Sequence, residues 1–128
     1  MEKGIQIEYK LIALLLEKGF NVSIPCDNHC HYDLIIDLNG KFLRVQVKSC
    51  ISKKSRNRYR VDMACGTFKN KKPYPIGSLE LFIVYILEEN AWYVIPQSVV
   101  GQQRFISVCP HVSASKFEQY KEKWDLIS

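Results

Sequence analysis

A hairpin signal in the first half of the chain limits the possible folds more than any other feature. Two largely apolar segments, YDLIIDL (32–38) and KFLRVQVKS (41–49), are separated only by Asn39 and Gly40. Asn-Gly is the preferred pair for a two-residue type I′ turn between antiparallel strands. We therefore predict a β-hairpin in which the residue numbers of paired positions sum to 79.

This register places polar side chains together on one face of the hairpin. Asp33 lies opposite Gln46, and Lys48 is on the same face because strand side chains alternate. The other face carries apolar residues, namely Leu34, Ile36, Leu43, Val45 and Val47. A loop of three or five residues would change the register and separate the polar groups. Taken alone, the three polar residues also fit an ordinary sheet surface with an ion pair.

The N-terminal segment supplies a further acidic residue. Residues 3–18 have helical periodicity, and Gly19 is suited to end a helix. Glu8 interrupts the predicted inward stripe, which consists of Ile5, Ile12, Leu15 and Leu16. A carboxylate among apolar residues requires a partner. We expect Glu8 to lean over the sheet edge toward Asp33.

These groups together predict a metal site. Two carboxylates, an amide oxygen and a backbone carbonyl form a set of oxygen ligands that suits magnesium. A divalent cation would also relieve the repulsion between Glu8 and Asp33. Lys48, next to such an ion, is suited to orient an attacking water or to help deprotonate it. The combination is typical of a site that hydrolyses a phosphodiester.

The remaining segments predict an α/β (α+β) fold. LFIVYIL (81–87) is continuously apolar, which is typical of a strand buried on both faces. A final helix is expected to begin near Ser115, where Ser115 and Glu118 have capping-box spacing, and to run through Trp124. The shorter predicted strands are FNVSIP, YRVDMA, AWYVIP and RFISV. We predict one domain over residues 1–128, with a central mixed sheet, an N-terminal helix and a C-terminal helix.

Charge is concentrated in one part of the chain. The net charge is +5 at pH 7, yet residues 48–72 alone contain nine basic residues and one acidic residue. A basic segment with an interleaved tyrosine indicates contact with DNA phosphates. A solvated loop that aids solubility is the alternative. The cations proposed to bind DNA are Lys53, Lys54, Arg56, Arg58, Arg60, Lys69, Lys71 and Lys72.

Other features place weaker limits on location and chemistry. The apolar runs are shorter than a membrane-spanning helix needs, and the first residues lack the layout of a signal peptide. We expect a cytoplasmic, nucleoid-associated protein, although an organelle is not excluded. The five cysteines fit reduced thiols better than a disulfide framework.

A short segment before the hairpin is rich in zinc-type ligands, namely Cys26, His29, Cys30 and His31. They are crowded into one loop, whereas structural zinc sites join two separated ligand pairs, so zinc is not favoured. The register places His31 opposite Lys48, where it could contact a phosphate or relay a proton; a loop histidine facing water is the alternative.

Other chemically notable residues are expected to be structural. Cys50, Cys65 and Cys109 are expected to be small buried residues rather than nucleophiles. His111 has no evident partner. The aromatic residues expected in the core, rather than stacked on bases, are Trp92, Tyr93, Phe117, Tyr120 and Trp124.

The motifs Gly4-x-x-x-Glu8, Tyr32-Asp33-Leu34 and Gln46-Val47-Lys48 together resemble the PD-(D/E)XK nucleases. The resemblance covers residues 4–95 and is to the branch in which glutamine replaces the second acid, which includes intron-encoded homing endonucleases. Archaeal Holliday-junction resolvases have a related core. The resemblance to the PD-(D/E)XK nucleases implies a restriction-endonuclease-like core and a bound Mg²⁺, with Mn²⁺ as a possible substitute. The implied ligands are Glu8, Asp33, Gln46 and the Val47 carbonyl, with Lys48 at the nucleophile.

The sequence departs from the family pattern at three points. Tyr32 occupies the position of the motif's proline, and the neutral Gln46 implies weaker metal binding than glutamate would give. The helix that usually follows the motif hairpin is poorly signalled over residues 66–80.

We predict one function and weigh it against two alternatives. The first is a magnesium-dependent DNA endonuclease of the homing type. A Holliday-junction resolvase and an inactive DNA-binding module are the alternatives. The expected partner is double-stranded or branched DNA. A homodimer or homotetramer is expected because cutting both strands requires two sites.

Overall fold

Within residues 3–27, 29–50, 58–67 and 69–127, which the computed structural model describes, one long helix and seven strands provide most of the regular structure. The helices are α1 (Lys3–Glu17) and the short α2 (Gln97–Val100). The strands are β1 (Asn21–Ser23), β2 (Leu34–Leu38), β3 (Lys41–Cys50), β4 (Tyr59–Asp62), β5 (Leu81–Ile86), β6 (Ala91–Pro96) and β7 (Phe105–Val108). In this part of the chain, 3₁₀ segments span Leu87–Glu89, Glu118–Tyr120 and Trp124–Ile127.

The predicted hairpin and its register are confirmed. Asn39 and Gly40 have φ angles of 54° and 96°, as a type I′ turn requires at both central positions. Leu34 pairs with Val45, and the pairing continues in register to the turn. The Gly40 N–H also donates to Asp37 Oδ1 at 2.9 Å, which holds the turn closed.

A mixed sheet forms the centre of the fold, in the order β1-β2-β3-β5-β6. Strands β3 and β5 are parallel, and the other neighbouring pairs are antiparallel. Every residue of β5 is buried, which confirms the predicted two-sided burial. Helix α1 packs on one face, and an antiparallel ribbon of β4 and β7 covers the other. The predicted α/β (α+β) architecture with a central mixed sheet is therefore confirmed.

Helix α1 packs on a stripe that differs in part from the predicted one, since Leu15 is buried as predicted and Ile12 is partly buried against the same cluster. Its buried residues are Ile7, Leu11 and Leu15, whereas Ile5 and Leu16 are 41% and 55% exposed, so their predicted burial is wrong. Residues at intervals of four face the sheet, in the arrangement that places the most continuous apolar stripe against β1 and β3. Glu8 follows Ile7 and is partly buried at the edge of this contact.

The predicted C-terminal helix over residues 115–124 is wrong. The segment instead contains the 3₁₀ turns Glu118–Tyr120 and Trp124–Ile127. Glu122 explains the difference, because its N–H donates to Trp92 O at 2.7 Å and its Oε2 accepts the Trp92 N–H at 2.9 Å. The chain is thereby hydrogen-bonded to strand β6, at the edge of the sheet, instead of to itself.

The aromatic residues lie in the core as predicted. Trp92, Tyr93 and Phe117 are buried, and Tyr120 and Trp124 pack against the two apolar clusters. None of the helices within the described ranges is long and apolar enough to cross a membrane.

Two smaller expectations need correction. Cys50, Cys65 and Cys109 are only partly buried, so their expected burial is not complete. The expected lack of a partner for His111 is wrong, because its Nε2 lies 2.7 Å from Glu89 Oε1.

Candidate active site

A cleft lies at the open end of the hairpin, far from the Asn39-Gly40 turn. It has a volume of about 410 Å³, and Asp33, Gln46 and Lys48 contribute to its wall. The structure therefore brings together the three polar residues that the register predicted on one face. The other described residues of the wall are His29, Cys30, His31, Ala64, Cys65, Gly66, Lys71 and Tyr74.

Asp33 is fixed by the backbone of the opposite strand. The regular pairing ends at Leu34, and the Asp33 N–H donates to Val45 O at 2.8 Å. Asp33 Oδ2 accepts the Val47 N–H at 2.9 Å. Burial raises the pKa of the Asp33 carboxyl, while the Val47 N–H and the Lys48 ammonium act in the opposite direction. The carboxylate is thus held rigidly in a partly desolvated position.

Glu8 approaches this carboxylate from α1. Burial, and secondarily the negative charge of Asp33, raises the pKa of Glu8 from 4.5 to about 7. Two carboxyls that repel in this way are destabilised as a pair of anions, and a cation between them would remove the penalty. Glu8 lies beside the cleft, on the helix, rather than in the cleft wall.

The oxygen donors fit a hard divalent cation. The Gln46 amide Nε2 donates to Val47 O at 3.2 Å, so the amide and this carbonyl are adjacent. Rotation of the amide would present its oxygen at the same place. Among the described residues, no three His, Cys, Asp or Glu side chains already converge as a metal-binding group. The available donors are two carboxylates, one amide and one backbone carbonyl, a combination that suits oxygen-preferring ions such as Mg²⁺.

Lys48 is held at the floor of the cleft. Its Nζ donates to Ala64 O at 2.8 Å and lies 4.9 Å from the centroid of the Tyr74 ring. Burial lowers the pKa of the Lys48 ammonium, and the nearby positive charge of Lys71 lowers it further. A cation held in a partly dry site interacts strongly with an anionic substrate.

Two contacts of Lys48, with Ala64 and with Tyr74, were not predicted from the sequence. Ala64 contributes only its backbone carbonyl, which has no sequence signature. Tyr74 could have been noticed, because an aromatic residue between Pro73 and Pro75 in a loop-like segment indicates a fixed position. Its ring also packs edge-on against His31, with the ring centroids 5.9 Å apart. His31 therefore faces the cleft from an exposed position.

The described part of the basic segment leads toward this cleft. Arg58, directly before β4, and Arg60, within β4, are both exposed. The Arg60 guanidinium stacks over Phe105 at 3.8 Å. Lys69 and Lys72 are also exposed, whereas Lys71 enters the cleft. The predicted cations Lys53, Lys54 and Arg56 lie outside the described residues.

A mixed sheet whose hairpin ends in an acid, an amide and a lysine, beside a basic surface, fits the core of a nuclease. The family model of the PD-(D/E)XK endonucleases matches residues 2–127, and the chain belongs to this family. It is therefore a nuclease of a family whose members use divalent metal ions.

Comparison with a solved structure supports the same family assignment. The bacterial homing endonuclease I-Ssp6803I is similar with a TM-score of 0.77 and 26% sequence identity, over 98% of this chain and 88% of that chain. This match confirms the restriction-endonuclease-like core and the homing-endonuclease relationship. No curated protein matches the chain.

Proposed function

We propose that the protein is a homing-type endonuclease that hydrolyses phosphodiester bonds of DNA with Mg²⁺, for which Mn²⁺ can substitute. The observation that carries this proposal is the cleft in which Asp33, Gln46 and Lys48 meet, with Glu8 beside it. The similarity to a bacterial homing endonuclease supports the homing role. Action on DNA would place the protein with the nucleoid.

The metal ligands in this proposal are Glu8, Asp33, Gln46 and the Val47 carbonyl. The chemistry that Mg²⁺ supplies when bound is neutralisation of charge on the phosphoryl group and a lower pKa for the attacking water. Both carboxyls have raised pKa values, so their anionic forms are disfavoured in the metal-free site. A bound cation would offset this cost, which supports their assignment as metal ligands.

The chain's own groups position the scissile phosphate. The Val47 N–H fixes the Asp33 carboxylate, so that little reorganisation is needed when substrate arrives. The Lys48 ammonium is held between the Ala64 carbonyl and the Tyr74 ring, where it can donate to a phosphoryl oxygen or to the attacking water. Lys71 offers a second cation in the same cleft.

Arg58, Arg60, Lys69 and Lys72 are proposed to contact the DNA backbone outside the cleft. Such contacts orient the duplex and contribute little sequence information. The basic segment follows directly from β3, which carries Gln46 and Lys48, so DNA bound along it would reach the cleft. We propose that Lys53, Lys54 and Arg56 extend this surface. Cutting both strands would use two copies of the site, in a homodimer or homotetramer.

Cleavage of a defined DNA panel tests the proposal. Purified protein is incubated with Mg²⁺, Mn²⁺ or EDTA and with linear duplex, supercoiled plasmid or four-way junction DNA, and the cuts are mapped. We expect cutting that requires the metal and is abolished in Lys48→Ala. The control Lys41→Ala removes an exposed lysine of the same strand near the turn and should cut normally.

The same experiment separates the alternatives. Preferential cutting of the four-way junction would favour junction resolution over homing. Salt-sensitive binding without metal-dependent cutting, even at high protein concentration, would show an inactive DNA-binding module and overturn the proposal.

A further inference from the structure

Asp62 is the single acid in the basic segment 48–72, and its carboxylate uses its two oxygens differently. Oδ1 accepts the Ala64 N–H at 2.9 Å, a contact over two residues that fixes the turn after β4. Oδ2 lies 3.4 Å from Lys71 Nζ and 3.7 Å from Arg104 Nη2. One side chain therefore connects the backbone of the cleft wall with two surrounding cations.

Ala64 is the residue whose carbonyl accepts the Lys48 hydrogen bond. It is 1% exposed, and the following Cys65 N–H donates to Lys72 O at 2.8 Å. The peptide group that carries the acceptor is thus restrained directly through its Cys65 N–H, and the preceding peptide group is restrained through Asp62. The position of the Lys48 ammonium depends on this acceptor remaining fixed.

We propose that Asp62 is a positioning residue for Lys48, acting through the Ala64 backbone, and that it separately holds Lys71 in the cleft. The consequence for cleavage rests on the proposed function; the positioning itself does not. The competing explanation is that Asp62 only forms surface ion pairs with Lys71 and Arg104, which contribute little in solvent.

Two substitutions of Asp62 separate these roles. Asp62→Asn keeps an oxygen that can accept the Ala64 N–H but loses the charge that holds Lys71. Asp62→Glu keeps the charge, but its longer side chain cannot form the same short turn contact. Positioning of Lys48 requires that the glutamate variant disturbs Lys48 more than the asparagine variant does. A role limited to ion pairing requires the reverse.

Lysine acetylation of the metal-free, DNA-free protein, followed by mass spectrometry, measures positioning without any activity. We expect the acetylation rate of Lys48 to rise about fivefold in Asp62→Glu, as loss of one hydrogen bond allows. In Asp62→Asn the rate should change less, because the lost charge influences Lys48 less than burial and Lys71 do. Lys71 should show the opposite pattern, and Lys41 should be unchanged in both. An unchanged Lys48 rate in Asp62→Glu, or equal rates in the two variants, would overturn the proposal.

Single-turnover cleavage at saturating protein then tests the consequence. Asp62→Glu should lower the rate constant about tenfold with a smaller change in DNA affinity, whereas Asp62→Asn, which releases Lys71, should lower the rate constant less and act mainly on DNA affinity. If acetylation changes as expected but the wild-type protein does not cut, the proposed function fails and the positioning stands. If the wild-type protein cuts and Asp62→Glu cuts equally well, the positioning role is refuted.

Discussion

Replacement of Glu8 by glutamine should stabilise the metal-free protein at high pH. The pKa of Glu8 is about 7 in the folded protein and 4.5 without the surrounding structure. The unfolded state therefore loses its proton first, and wild-type stability falls as pH rises from about 4.5 to 7. Without solvent screening, this difference in pKa corresponds to about 3 kcal/mol in the free energy of unfolding. Glu8 is partly exposed, and solvent screening reduces the expected effect to about 1 kcal/mol.

Urea unfolding in EDTA at pH 4, 6 and 8 measures the effect. Glu8→Gln should match the wild type at pH 4 and exceed it by about 1 kcal/mol at pH 8. Glu17→Gln, an exposed substitution on the same helix, is the control and should show no comparable dependence on pH. The inference that Glu8 is destabilised as an anion beside Asp33 would be refuted by either of two results. One is a Glu8→Gln protein that is less stable than the wild type at pH 8, and the other is a stability difference that is the same at every pH.

Two further predictions concern DNA binding and the loop that carries Lys71. Replacing Arg58 and Arg60 by alanine should weaken DNA binding and lower the slope of log K against log salt by about 1.8, whereas Lys41→Ala should leave the slope nearly unchanged; fluorescence anisotropy at several salt concentrations checks this. Gly66→Ala should destabilise the protein by more than about 2 kcal/mol, because its Cβ would lie 2.5 Å from a backbone oxygen at a φ of +96°. Gly19→Ala, at a φ of +87° with open space around it, should cost only about 1 kcal/mol in the same urea measurement.

The hairpin and its polar face were predictable because both depend on local rules. The Asn39-Gly40 pair determines the turn, the turn sets the register, and the two-residue period of a strand places Asp33 beside Gln46. Ala64 and Tyr74 reach the same cleft through chain that lies far from the hairpin in sequence. No local pattern specifies those contacts, although Asp62 is marked as the only acid in a basic segment.

The helix predicted over residues 3–18 is present as α1, whereas its predicted inward stripe and the predicted C-terminal helix failed for reasons of tertiary contact. Apolar residues occupy several faces of α1, so periodicity allowed more than one inward stripe, and the contact with β1 and β3 selected Ile7, Leu11 and Leu15. Near the C-terminus, the residues with capping-box spacing have other partners. The Ser115 hydroxyl donates to Cys109 O at 3.3 Å, and Glu118 Oε1 accepts the Tyr93 hydroxyl at 2.7 Å.

The dependence of cleavage on Mg²⁺ in the Asp33→Asn variant is the most direct test of the proposed metal site. Asparagine retains an oxygen that can accept the Val47 N–H, so the hairpin should stay intact while one anionic ligand is lost. We predict that the protein remains folded, that DNA binding is nearly unchanged, and that the single-turnover rate at any Mg²⁺ concentration falls by about 100-fold or more. Cleavage by Asp33→Asn at the wild-type rate, with the same half-saturating Mg²⁺ concentration, would contradict the proposed site.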